Sequence, residues 1–165
     1  MGVRSGFTRP DQLAPGGDLK GFCCADEIVD HWAEKYASGA KKQGTAVVYV
    51  TYCEGAAAGF YTLSSHSIRR ADVGGGWLKR NVPDQIPAVL LGMLGVDKRF
   101  QGGGLGAMLL RDAIIRALGV AEAIGAKALV VDPSSEKATG FYAHFGFEFI
   151  PGSDRMYLRL GGLSG

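Results

Sequence analysis

The chain is short of the residues that build extracellular or metal-bound frameworks. Three cysteines occur in 165 residues, and Cys23 and Cys24 are neighbours while Cys53 stands alone. There is no C-x-x-C and no even count, so neither a disulfide framework nor a zinc pattern emerges. Histidine is as sparse, and His31, His66 and His144 have no ligand-like spacing, so no metal site is expected. No apolar run reaches the roughly 20 residues of a transmembrane helix. The opening MGVRSGFTRP lacks the apolar core of a signal peptide. It also carries Gly6 where a myristoylation pattern needs Ser or Thr. These absences set the expectation of a cytoplasmic protein with reduced thiols and no membrane segment. The formal net charge of +2 excludes a polycation, so any nucleic-acid contact must come from local patches. With 47% hydrophobic and 21% charged residues the chain reads as globular, not disordered. Its length suits one domain, here residues 1–160, with a loose tail at 161–165.

Glycine, by contrast, is abundant, and it concentrates where the organisation turns. Leu91–Leu110 reads LGMLGVDKRFQGGGLGAMLL: a strand, a turn, a glycine cluster and then a helix opening at Leu105. Glycines admit positive φ and close backbone approach. The first N–H groups of a helix lack internal partners, and the dipole adds partial positive charge. The segment therefore forms an anion site suited to phosphate. A P-loop is excluded because the chain has no Gly-Lys pair. A Rossmann turn drawn on Gly102, Gly104 and Ala107 comes late in the chain, and Glu122 lies inside the predicted helix instead of on a ribose.

Before this segment, Asp26 caps a predicted helix from Glu27 to Ser38 closed by Gly39, with Ile28, Trp32 and Tyr36 as its core-facing stripe. Thr45–Cys53 and Ala58–Ser64 read as a hairpin around Glu54-Gly55. His66–Gln85 reads as a long loop carrying Arg69, Arg70, Trp77, Lys79 and Arg80. Pro87–Val96 is the central strand, in which Gly92 and Gly95 mark a bulge or a close approach by a ligand. Leu105–Ile124 is a helix apolar on most of its circumference, hence largely buried. A strand at Ala128–Val131, a helix that follows the punctuating run Pro133–Glu136 and extends up to His144, and strands at Phe147–Ile150 and Arg155–Leu160 complete the chain. The order implies an α/β fold with a mixed sheet and helices on both faces.

Gln101-Gly102-Gly103-Gly104-Leu105-Gly106 resembles the Q/R-x-x-G-x-G/A motif of the GNAT N-acetyltransferases. The resemblance extends through Phe22-Cys23, Gly59–Ser64, Ile86-Pro87, Leu91–Asp97, Leu109–Ala113, Val130–Asp132 and Phe141-Tyr142 to Phe145–Phe147. The Ile86-Pro87 block and the GFYTLS strand are similar to the GNAT toxins of bacterial toxin–antitoxin pairs. Met93, Gly95 and Gly103 depart from that branch, which usually has Arg, Ala and Lys there.

The resemblance implies the GNAT acyl-CoA N-acyltransferase fold and acetyl-CoA held in a split between the strands of Val96 and Val130. Leu94, Gly95 and Val96 would carry the pantetheine arm. Gln101, Gly102, Gly103, Gly104, Leu105, Gly106 and Ala107 would hold the pyrophosphate. Tyr142 would give a proton to the departing thiolate, a role that a phenol of pKa about 10 can fill at neutral pH. No general base stands out among His66, Glu34 and Asp97. The toxin branch acetylates the α-amine of aminoacyl-tRNA and so blocks translation. It further implies a ribbon-helix-helix antitoxin and a homodimer. Arg69, Arg70, Trp77, Lys79, Arg80, Lys41 and Lys42 are the candidate tRNA contacts, since cations track a backbone and an aromatic stacks a base. A GNAT acting on a small amine or a protein N-terminus is the alternative, and a non-catalytic acyl-CoA-binding module is a third.

Overall fold

A computed structural model describes residues 6–161. Seven strands form a mixed sheet in the order β1-β2-β3-β4-β5-β7-β6. They are β1 (Asp11–Gln12), β2 (Val47–Cys53), β3 (Ala56–Arg69), β4 (Gln85–Val96), β5 (Ala128–Val131), β6 (Glu148–Phe149) and β7 (Met156–Arg159). The helices are α1 (Glu27–Lys35), α2 (Ala40–Gln43), α3 (Leu105–Ile124) and α4 (Glu136–His144). The chain divides into two compact units, residues 1–64 with 92–113 and residues 65–91 with 114–165.

In the first unit β2 and β3 form an antiparallel ladder from Val47↔Leu63 to Cys53↔Ala56, with a shift between Thr51 and Tyr52. The short β1 adds to β2 at Asp11↔Val50. The core gathers Leu19, Phe22, Val29, Ala33, Val50 and Phe60. Asp26 caps α1, its carboxylate accepting from Ile28 N and Val29 N. The predicted stripe of α1 is displaced by one residue. Val29, Ala33 and Ala37 are buried, Trp32 is half-buried, and Ile28 and Tyr36 are exposed. Small side chains at the same spacing of four let the helix approach its partners closely, and that alternative stripe was open in the sequence. Nor does the helix run to Ser38: Tyr36 closes it, and Gly39 opens α2 instead.

In the second unit β5 pairs in parallel with the first half of β4, from Ala88↔Ala128 to Leu91↔Val131, and antiparallel with β7. β6 pairs with β7. The core holds Ile68, Val73, Leu78, Ile86, Val130, Ile150 and Tyr157. Residues 66–69, read as loop, continue β3, because Ser67 and Arg69 face out while Ile68 faces in. That period of two was concealed by its polar residues. Only one face of α3 is buried, through Leu105, Leu109, Leu110, Ala113 and Ala117. Ile115 and Ile124, at 59% and 81% exposure, correct the expectation of a largely buried helix. Uniform apolar composition gave no sign of which face is covered.

Candidate acyl-CoA site

The parallel ladder between β4 and β5 ends at Leu91↔Val131, and β4 runs on through Gly92–Val96. Met93 N donates to the Thr62 hydroxyl at 2.9 Å, so a side chain takes the acceptor's place on β3. A Cβ at Gly92 would lie 3.0 Å from that hydroxyl oxygen. Gly95 has a different reason for lacking a side chain. A Cβ there would meet Val29 Cγ1 at 3.0 Å, Cys24 Sγ at 3.2 Å and Phe22 Cε2 at 3.3 Å. The protein's own Phe22–Val29 segment, not a ligand, makes the close approach in that direction.

Beyond Val96 the chain turns through a single 3-10 turn, Lys98–Phe100, capped by Asp97. Gly102 and Gly104 then take φ of +87° and +83°, the left-handed region that glycine adopts without strain. Met108 N bonds to Gly104 O, which makes Gly104 the entry to α3. The N–H groups of Leu105, Gly106 and Ala107 precede that first helical bond and have no partner within the helix. No acidic residue stands in the first turn of α3 to compete for them. Gln101–Gly104 are exposed. An exposed left-handed glycine turn leading into helix-initial amides without intrahelical partners fits a diphosphate.

A clamp holds this loop, and the sequence did not reveal it. Lys98 N donates to Cys23 O at 2.8 Å, and Cys23 N donates to Asp97 Oδ2 at 3.2 Å. The Gln101 amide donates from Nε2 to Cys24 O at 2.9 Å and to Val96 O at 2.8 Å. Burial pushes Asp97 up, but hydrogen bonds from the Arg99 guanidinium and from Arg99 and Cys23 N–H outweigh it and hold the carboxyl below its usual value. With its oxygens occupied at 3% exposure, Asp97 is a structural anchor, not a base. The signal that would have found it is its place directly after an apolar strand, where a carboxylate can cap the following turn.

Tyr142 belongs to the second unit. It lies on α4, which is capped by Ser135, and its ring meets Phe141 at 5.3 Å and Phe147 at 5.3 Å. At 9% exposure, burial alone pushes its phenol up to about 12. His66 lies in the same unit. Its Nε2 is buried without a hydrogen-bond partner, and burial with the nearby Arg155 lowers its pKa. Glu34 is an exposed residue of α1.

The remaining cations fall into two groups. Lys41 and Lys42 are exposed on α2 of the first unit, with Lys41 Nζ donating to Gln12 Oε1. Arg69, Arg70, Lys79 and Arg80, with the aromatic Trp77, belong to the second unit, on or beside the 3-10 turns Arg70–Asp72 and Trp77–Lys79. The Trp77 ring is half-buried and stacks on Tyr157 with centroids 6.3 Å apart. Two cations that sequence reading missed share that ring: Lys127 Nζ at 4.1 Å and Arg159 Cζ at 4.8 Å from its centroid. Tyr157 and Arg159 stand two apart on β7 and therefore share a face, the one local hint in the sequence.

The family model of the acetyltransferase (GNAT) domain matches residues 44–149, which contain both the glycine loop and Tyr142. The chain belongs to the GNAT acetyltransferase family. It is an N-acetyltransferase with the GNAT fold. Two curated relatives align over most of its length. A tRNA-acetylating toxin of Mycobacterium tuberculosis (strain ATCC 25618 / H37Rv) is 38% identical over 156 residues, covering 94% of this chain and 93% of that protein. A probable toxin TacT of Sinorhizobium fredii (strain NBRC 101917 / NGR234) is 33% identical over 154 residues, covering 87% of this chain and 85% of that protein. Among solved structures, a mutant AtaT toxin bound to the C-terminus of the antitoxin AtaR and to acetyl-CoA superposes with a TM-score of 0.78 at 25% identity, covering 93% of each chain. Among the described residues, no helix is long and apolar enough to cross a membrane, and no group of three metal-ligating side chains occurs.

Proposed function

We propose that this GNAT acetyltransferase uses acetyl-CoA to acetylate the α-amine of the amino acid on charged tRNA, blocks translation in the cytoplasm by doing so, and is the toxin of a toxin–antitoxin pair. The observation that carries the reading is the exposed glycine turn Gln101–Gly104, left-handed at Gly102 and Gly104 and opening directly into α3, in a chain 38% identical to a tRNA-acetylating toxin. Gln101, Gly102, Gly103, Gly104, Leu105, Gly106 and Ala107 hold the diphosphate through main-chain N–H groups, and Leu94, Gly95 and Val96 carry the pantetheine arm along the free-running end of β4. Acetyl-CoA supplies the thioester-activated acyl group when bound.

The chain's own residues do the rest. A backbone N–H near Leu94 is aimed at charge developing on the carbonyl oxygen. Tyr142 Oη keeps its proton at neutral pH, because burial places its pKa near 12, and offers it to the leaving sulfur. The chain needs no strong base for an α-amine, which titrates near 7.7–8.0 and is partly neutral at pH 7. A lysine amine, near 10.4, would need one.

Arg69, Arg70, Lys79 and Arg80 in one unit, beside the aromatic Trp77, and Lys41 and Lys42 in the other, supply the cations for the nucleic acid. The partner is an antitoxin of the ribbon-helix-helix type; the antitoxin seated on AtaT supports an antitoxin partner as such. A homodimer would cover exposed apolar side chains such as Ile115 and Phe149. Labelled acetyl-CoA incubated with charged and uncharged tRNA tests the function. Label should appear on the α-amine of the esterified amino acid alone. Transfer only to free amines or to protein N-termini would replace this reading with the alternative.

A further inference from the structure

We propose that Lys127 and Arg159, gathered on the Trp77 ring, form a phosphodiester-binding site together with Arg80, whose carbonyl holds the Lys127 ammonium. This rests on the tRNA reading above and adds to it a contact built from three separate parts of the chain. The turn Trp77–Lys79 is anchored by the fully buried Leu78. Arg80 N bonds back to Trp77 O at 3.1 Å. Lys127 opens the approach to β5, its N–H donating to Pro87 O at 2.8 Å and its carbonyl accepting from Leu160 N at 3.0 Å. Its ammonium donates to Arg80 O at 3.3 Å while standing over the indole. Arg159 reaches the same ring from β7.

The charges in this cluster are unbalanced. Among the described residues, Glu148 is the carboxylate paired there, 3.5 Å from Arg159 Nε, against the cations Lys127, Arg159 and Arg80. Burial lowers the Lys127 pKa, and repulsion from Arg80 and Arg159 lowers it further. An anion seated among them relieves that repulsion. The indole's role is then to hold the cations by its face, not to stack a base, because its ring is already committed to Tyr157, Lys127 and Arg159. Two guanidinium forks and an ammonium suit a group with several acceptor oxygens.

The test is the salt dependence of binding deacylated tRNA, measured by fluorescence anisotropy. For Lys127→Met with Arg159→Gln, the slope of log K against log salt should become shallower by about 1–2, with binding about tenfold weaker at low salt. Lys127→Arg should keep the wild-type slope, and all variants should bind acetyl-CoA as wild type does. An unchanged slope in the double variant overturns the proposal, as does polyglutamate competing as well as RNA. If wild type binds tRNA with the expected slope loss in the variant yet fails to acetylate charged tRNA, the site stands and the proposed function falls.

Discussion

Gly59→Ala should damage stability and cofactor binding together. A β-carbon at Gly59 would lie 2.7 Å from Leu109 Cδ1, 3.1 Å from Gly95 O and 3.5 Å from Leu105 Cδ2. Ordinary carbon contacts lie near 3.5–4.0 Å, so the first demands a shift of about 1 Å. Leu109 and Leu105 are buried and cannot swing into solvent. The alternative is to move the backbone of β4 at Gly95. Overpacking of this kind costs about 1–3 kcal/mol. For a chain of this size each kcal/mol moves Tm by about 2–4 °C, which gives a fall of about 2–12 °C in a thermal scan. Both displaced elements carry the proposed cradle, so calorimetry should show weaker binding of acetyl-CoA as well. Pairing the change with Leu109→Ala, which removes the clashing methyl, should give a double variant less destabilised than the two single effects combined, with a coupling of about 1 kcal/mol. Strict additivity, or full cofactor affinity in Gly59→Ala, would refute the reasoning.

Tyr142→Phe should slow acetyl transfer by about a hundredfold or more while acetyl-CoA affinity stays within about twofold. Because the phenol titrates near 12, the wild-type rate should show no alkaline loss from this group below about pH 10. Asp97→Asn leaves its N–H donors with one carboxyl-type acceptor instead of two, and should cost about 1–3 kcal/mol in urea denaturation at pH 7. Its lowered pKa gives a contribution present above the ordinary carboxylate range and lost as pH falls through the folded value, so wild type and Asp97→Asn should converge in acid. His66 acts with the same sign on pH through the opposite charge. Its folded pKa is lowered, so the native state resists a proton that the unfolded chain accepts below about 6.5. Stability should decline from about pH 6.5 toward the folded value, and His66→Gln should lose that component when denaturation is compared at pH 7.5 and 5.

What could be read from the sequence was local. Asp26 caps its helix, Leu105–Ile124 is a helix and Ala128–Val131 a strand, as expected, because caps, glycines and short apolar runs act within a few residues. The glycine loop was legible for the same reason: its strand, turn and helix are contiguous. What escaped depends on the rest of the chain. Asp97 meets Cys23 across 74 residues, and Gln101 meets Cys24 across 77. Trp77, Lys127 and Arg159 come from three segments, so no spacing rule joins them. The α1 stripe was misplaced because two stripes spaced by four coexist, and only packing selects the one with smaller side chains.

On the proposed reading, main-chain donors of the glycine loop grip the coenzyme's diphosphate. Amide NMR of the labelled protein titrated with CoA tests it directly, with pantetheine, which lacks the diphosphate, as the comparison. The largest shifts should fall on the N–H groups of residues 101–107 with CoA and be absent there with pantetheine. If CoA binds and its largest shifts lie outside that loop, or if pantetheine reproduces them, the claim is contradicted.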